Sequence, residues 1–182
     1  INEAIRLNNQ GEYTPLAIET SGHAALMENY FLDDGAYLIT RLLIALANAA
    51  KEGKTLGDLI SDLEMPEEAQ EIRLRFIGGC DFKTLGANIL KDFAIYAENH
   101  AYAKPAPDNY EGCRVCYDGD HGDGWALVRM SLHEPIMPIN IESNTKGASI
   151  KIVKDLYYFL KKYTCLDMTP MVKVIEAYRK SL

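Results

Sequence analysis

Residues 117–125 read YDGDHGDGW, and the fold turns on how this stretch is read. Three aspartates and three glycines lie between Asp118 and Gly124, a composition that suits either a loop around a divalent cation or a tight connection between two strands. A calcium loop of the EF-hand kind needs oxygen ligands at positions 1, 3 and 5, glycine at 6 and glutamate at 12. Counted from Asp118, position 5 is Gly122, position 6 is Asp123 and position 12 is the cationic Arg129. Counting from Asp120 fails sooner, because Gly122 falls at position 3. The flanks favour a turn. Residues 111–117 (EGCRVCY) lead in as a strand and 125–131 (WALVRMS) lead out as another, and Gly/Asp-rich residues are what a hairpin connection requires.

Working outward, 136–142 (IMPINIE) reads as a further strand. Upstream, 71–77 (EIRLRFI) alternates cleanly, with Ile72, Leu74 and Phe76 on one face and Arg73 and Arg75 on the other. Between them, 81–99 is a helix with Ile89, Leu90, Phe93, Ala94 and Ala97 inward, and 103–108 (AKPAPD) is a loop. Helix 148–163 follows, its aromatics Tyr157, Tyr158, Phe159 and Tyr163 serving core and rim. A last helix is expected to be capped by Thr169, with Pro170 at its first position. The order strand, helix, three strands, helix, helix predicts a mostly antiparallel sheet covered on one side by helices, an α+β layer.

Cys113 and Cys116 form a CxxC, half of a zinc site or a redox pair by spacing alone. A second CxxC is missing, and residues three apart on a strand point to opposite faces, so they read as two strand cysteines.

The character changes at 65–68 (MPEE). Before it, 1–9 is a short helix ended by Gly11, and 14–20 (TPLAIET) reads as a short buried strand with a small polar loop, Ser21-Gly22-His23, at its end. In an α/β layer such a loop is where ligands sit. Residues 33–55 predict a helix with Ile39, Leu42, Leu43, Leu46, Ala47 and Ala50 on its inner face, capped by Asp33 or Asp34 and ended at Gly53. A second short helix over 55–63 follows, with Thr55 as cap.

With 182 residues, one ordinary domain or two small ones are expected. The net charge of −7 argues against a nucleic-acid partner. No apolar run approaches the roughly 18–20 residues of a membrane span, and no signal peptide opens the chain. Four cysteines do not make a disulfide scaffold, so a reducing cytoplasm is expected. Opening on Ile1 in mid-helix, the chain reads as a fragment or an excised domain.

Two stretches carry the chemistry: 18–37 (IETSGHAALMENYFLDDGAY) and 129–143 (RMSLHEPIMPINIES). Glu19 can accept two hydrogen bonds at once, Ser21 can donate or accept, and His23 can hydrogen-bond a ligand or hold a proton near neutral pH, although by themselves these residues read equally as a capped helix start with a buried histidine. Gly22 lets backbone come close to a ligand. Arg129 can fork two phosphate oxygens, Ser131 and the following main-chain N–H groups can add donors, and His133 is a further donor.

These two stretches resemble the alpha-D-phosphohexomutases, the phosphoglucomutase/phosphomannomutase family. Glu19-Thr20-Ser21-Gly22-His23 matches in full the sugar-reading Glu-x-Ser-Gly-His loop of that family's third domain, and ENYFLDDGAY continues it in the manner of one bacterial-type branch. The fourth domain's phosphate loop has the form Arg-x-Ser-Gly-Thr-Glu-Pro. Here Arg129, Ser131, Glu134 and Pro135 match it, while Leu132 and His133 replace the Gly-Thr pair.

The resemblance implies that 1–63 is the C-terminal part of the α/β, sugar-binding third domain. It implies that 64–182 is the phosphate-binding fourth domain, an α+β layer of the TATA-binding-protein kind. Glu19, Ser21, Gly22 and His23 would then bind the sugar, and Arg129, Ser131 and His133 the phosphate.

Family catalysis uses a phosphoserine in the first domain and a magnesium loop in the second, passing through a bisphosphorylated sugar. Neither a Ser-His-Asn-Pro stretch nor a true magnesium loop occurs in this sequence, so no catalytic residue or metal ligand is assigned. The chain is expected to be inactive alone. It would be the substrate-recognition portion of an enzyme interconverting hexose 1- and 6-phosphates, with Mg2+ in the full-length protein and the N-terminal domains of the parent chain as partners. Glucose, mannose and glucosamine phosphates are not distinguished. The alternatives are a stand-alone sugar-phosphate-binding or regulatory module, and a calcium or zinc protein using 118–124.

Overall fold

The computed structural model describes residues 1–19, 22–107, 109, 112–131 and 134–181. The chain divides into two compact units, Ile1–Glu64 and Met65–Leu182.

The first unit comprises α1 (Asn2–Asn9), β1 (Leu16–Ile18), β2 (Ala24–Leu26), α2 (Gly35–Lys51) and two short 3₁₀ turns, Met27–Asn29 and Gly57–Ile60. Asn8 ties α1 to the following segment: its amide donates to the carbonyls of Ala4 (2.8 Å) and Thr14 (2.7 Å). β1 and β2 pair antiparallel as a hairpin, Ala17 opposite Ala25. The structure corrects β1's expected burial, since Leu16 and Ile18 are exposed. The predicted inner face of α2 is likewise open within the described residues, with Ile39 60% and Leu43 59% accessible and Ala49 the buried position. Asp34, not Asp33, caps α2, accepting from the Tyr37 N–H at 3.0 Å. Residues 55–63 form only a 3₁₀ turn, at whose start Asp58 accepts from the Thr55 N–H and hydroxyl.

The second unit comprises β3 (Glu68–Arg75), α3 (Phe82–Glu98), β4 (Ala103–Pro105), β5 (Cys113–Tyr117), β6 (Gly124–Val128), β7 (Ile136–Ser143), α4 (Ser149–Leu160) and α5 (Thr169–Ser181). The strands form one sheet in the order β3-β7-β6-β5-β4, with every pairing antiparallel. β4 was expected to be loop. Its three residues pair with Val115–Tyr117 at the sheet margin, where Pro105 withholds no donor the ladder needs.

Burial alternates along β5, from Cys113 inward to Arg114 outward, so one sheet face is open and the other packed. On the packed face Leu74, Val115, Val128 and Ile139 meet Ile89 and Phe93 of α3, Ile152 and Leu156 of α4, and Met171 of α5. All nine side chains are fully buried. Each such burial contributes about 1.5–3 kcal/mol before entropy is counted. Asp81 caps α3 through the Thr84 N–H at 3.3 Å. At α5 the side-chain acceptor is Asp167, taking the Thr169 N–H at 3.0 Å, and not Thr169. Cys113 and Cys116 lie on opposite faces of β5, one buried and one exposed.

A polar staple crosses the packed side. Asp155 of α4 accepts from the hydroxyls of Tyr96 (2.7 Å), Tyr102 (2.9 Å) and Tyr117 (3.0 Å). Burial is the main cause holding all three phenols above their ordinary pKa, with the Asp155 charge acting the same way.

Candidate functional site

Residues 118–123 connect β5 to β6 as a hairpin loop, in which the Asp118 carboxylate binds the loop itself while that of Asp123 reaches the segment after β7. Asp118 Oδ1 accepts from the His121 N–H (2.9 Å) and meets its Nδ1 (2.6 Å), and these His121 contacts lower the Asp118 pKa. His121 in turn stacks on Tyr102 at 4.2 Å. Asp123 Oδ2 accepts from the Thr145 hydroxyl (2.7 Å), and the Asp120 carbonyl takes Lys151 Nζ (2.9 Å). Among the described residues no group of three or more His, Cys, Asp or Glu is arranged to hold a metal ion.

The loop's product is strand β6, whose end delivers Arg129. The Arg129 N–H donates to the Pro138 carbonyl at 3.1 Å, and the Ser131 N–H donates to that of Ile136 at 3.0 Å, so 129–135 is the turn from β6 into β7. Three contacts brace it. The Phe76 N–H donates to the Pro135 carbonyl at 2.8 Å, and the Glu134 N–H donates to Ser131 Oγ at 3.3 Å. Met130 packs on α3 at Gly86, where an added Cβ would stand 2.1 Å from the Met130 sulfur. The N–H groups of Ser131 and Glu134 are therefore spent within the turn. Ser131 Oγ, used there as an acceptor, keeps its hydrogen to donate. Leu132 and His133 lie outside the described residues.

The sheet register adds a residue that periodicity alone had classed merely as outward-facing. Arg73 stands opposite Pro138, and Arg129 bonds Pro138 from the other side, so two arginines flank one residue of β7 on the open face. Strand spacing puts their backbones roughly 10 Å apart. The ion pair here is Glu71–Arg73, with the Asn140 amide also donating to Glu71 (3.3 Å). The hydrogen bond from Arg73, helped by Asn140 and the charges of Arg73 and Arg129, holds the Glu71 carboxyl below the usual range. Only three-dimensional pairing brings Arg73 to Arg129, so no linear motif signals it.

In the first unit Glu19, Gly22 and His23 meet at the β1–β2 tip. The Glu19 N–H donates to the His23 carbonyl (2.9 Å) and the Gly22 N–H to that of Glu19 (3.0 Å). Gly22 has φ +89°, a conformation that L side chains rarely adopt. Thr20 and Ser21 lie outside the described residues. His23 Nδ1 lies 3.0 Å from Asp33 Oδ2. The carboxylate can only accept, so Nδ1 carries a proton, and in the neutral ring Nε2 is left to accept from a ligand. Asp33 is delivered by an unusual turn in which Tyr30 and Phe31 both take φ +54°. This positioning role was not read from the sequence, where Asp33 was only a possible helix cap.

An open groove of about 550 Å³ lies elsewhere, at the start of β3, lined by Glu68, Gln70, Ser149, Ile150, Val174 and Tyr178 among others. Glu68 already occupies the α4 N-terminus there, accepting from the N–H groups of Gly147 (2.8 Å) and Ser149 (3.0 Å). The arginine turn, not this groove, carries the chemistry of an anion site.

What fold and turn define is an antiparallel α+β module that presents an arginine–serine turn where one strand passes to the next. No family model matches the chain. It is 28% identical over 144 residues to a phosphomannomutase/phosphoglucomutase of Pseudomonas putida, covering 78% of this chain and 27% of that protein. It is 28% identical over 138 residues to a phosphoglucomutase of Neisseria gonorrhoeae, covering 75% and 27%. Among solved structures, a phosphoglucomutase/phosphomannomutase family protein of Burkholderia thailandensis superposes with a TM-score of 0.61 at 25% identity, over 90% of this chain and 31% of that one. Over most of its length, then, the chain is similar to phosphoglucomutase/phosphomannomutase proteins, and it spans about a quarter of the curated relatives it matches. Among the described residues no helix is long and apolar enough to cross a membrane.

Proposed function

We propose that this chain is the C-terminal, substrate-recognition portion of a phosphohexomutase, its two units corresponding to the end of the sugar-binding third domain and to the phosphate-binding fourth. The observation that carries the reading is the Arg129–Ser131 turn, whose guanidinium and hydroxyl have the chemistry to hold a phosphate monoester. Similarity to phosphoglucomutases over three-quarters of the chain supports it. Arg129 forks two phosphate oxygens, Ser131 donates its hydroxyl hydrogen to a third, Arg73 adds charge from β3 on the far side of β7, and His133 completes the set. At the hairpin tip Glu19 and Ser21 take the sugar hydroxyls, Gly22 lets the chain turn, and His23 accepts through Nε2 under the control of Asp33.

The reaction proposed for the parent protein is the interconversion of hexose 1- and 6-phosphates in the cytoplasm, through a phosphoserine and a bisphosphorylated sugar. The nucleophile and the magnesium ion belong to the rest of that chain. This portion's work is binding and orientation.

The test is calorimetric titration of the 182-residue chain with glucose 1-phosphate and mannose 1-phosphate, alongside a coupled mutase assay. Binding without turnover is expected. Turnover by this chain alone would overturn the recognition-only role, and absence of binding in both the wild type and the full-length parent would overturn the site.

A further inference from the structure

Two segments remote in sequence are zipped together beside the arginine turn. Phe76 and Leu166 form an antiparallel bridge, the Ile77 N–H donates to the Cys165 carbonyl (2.8 Å), and the Asp167 N–H donates to that of Arg75 (2.9 Å). Just past the Gly78–Gly79 turn the chain reaches Cys80, and Cys80 and Cys165 are both half-buried and packed against the same core. We propose that Cys80 and Cys165 are a reversible redox pair that closes to a disulfide by exchange with a small-molecule disulfide of the glutathione type.

Burial, together with the nearby Cys80 thiol, raises the Cys165 pKa. The two thiols have no rival in the chain. Cys113 and Cys116 sit on opposite faces of β5, and burial pushes the Cys113 thiol up to about 11.

In the first step one cysteine thiolate attacks the glutathione disulfide, forming a mixed disulfide and releasing one glutathione thiolate. The second cysteine thiolate then attacks the protein sulfur of that mixed disulfide, closing Cys80–Cys165 and expelling the second glutathione. The two protein thiols are oxidised by two electrons, and the disulfide is reduced to two glutathione molecules that take up the two thiol protons. The closed bond joins the loop after β3 to the segment between α4 and α5. Through the Phe76–Pro135 hydrogen bond, it stiffens the strand end that braces the 129–135 turn.

Incubation of the 182-residue chain with oxidised glutathione, followed by acid quenching and non-reducing peptide mapping, tests this. Expected are a Cys80–Cys165 linked peptide, two of the four thiols still titratable, and a melting midpoint raised by more than about 5 °C that dithiothreitol reverses. Cys80→Ser and Cys165→Ser should each stop the reaction at a glutathione adduct on the remaining partner, with an unchanged circular dichroism spectrum. Persistent adducts on wild-type Cys80 or Cys165 without the internal link, a link through Cys113 or Cys116 instead, or no reaction of either cysteine overturns the proposal.

Discussion

Arg129 and His23 show how far single side chains are legible. Arg129 was visible in the sequence because its serine partner is two residues away, whereas Arg73 acquires meaning only when β7 is laid between β3 and β6. Replacing Arg129 by alanine is expected to weaken hexose-phosphate binding by about 1.5–3 kcal/mol, roughly ten- to a hundredfold in Kd, with lysine restoring only part because it cannot fork two oxygens. Titration calorimetry on both variants checks it. Asp33→Asn should leave the fold intact and weaken the same binding roughly two- to tenfold, since an amide can either accept from or donate to Nδ1 and no longer fixes the His23 tautomer. If Asp33→Asn bound as tightly as wild type, His23 would need no such partner.

At the level of elements, helix α3 and the arginine turn are joined through Gly86 and Met130. Alanine normally gains about 0.5–1 kcal/mol over glycine inside a helix, but the new methyl would displace the Met130 sulfur, and overpacking costs about 1–3 kcal/mol. Gly86→Ala should therefore lower the denaturant midpoint and loosen phosphate binding together. A stabilised variant would show that Met130 yields freely. At the other end of the sheet Glu68 ties β3 to the start of α4. Burial alone would raise its pKa, but hydrogen bonds from Ser149 and Gly147 and the Lys146 charge outweigh it and leave the pKa lowered. A depressed carboxylate stabilises the fold above its unfolded pKa of about 4.5 and loses that contribution as pH falls through the folded value. Wild type should thus unfold at higher urea than Glu68→Gln near neutral pH, and the gap should shrink below pH of about 4.5. The strands of this unit were legible because one face is buried and the period of two is clean, as in Ile72, Leu74 and Phe76. β4 was not, because three residues ending in proline carry no period at all.

For the whole molecule the contrast is between a unit with a continuous apolar core and one whose described residues bury only Ala4, Ala24, Ala25 and Ala49. In Met65–Leu182, α3, α4 and α5 bury a continuous apolar set against the sheet. In Ile1–Glu64 the helical period of α2 was read correctly, yet Ile39, Leu42 and Leu43 find no cover among the described residues, since a period specifies a face but not what meets it. The isolated segment 65–182 is expected to melt cooperatively, and 1–64 to show a shallow, non-cooperative loss of helix by circular dichroism. A sharp transition in 1–64 would mean that its own residues suffice. The strand margins differ in the same sense. β3 presents Arg73, Arg75 and Glu71 outward, and charges of this kind discourage another chain from adding a strand. β1 has only Leu16, Ala17 and Ile18, and among the described residues no strand lies beyond it in its two-stranded sheet. Colloidal behaviour should follow from that edge: concentrated solutions of this polypeptide would self-associate by strand addition at Leu16–Ile18, and a lysine at Ala17 would keep them dispersed.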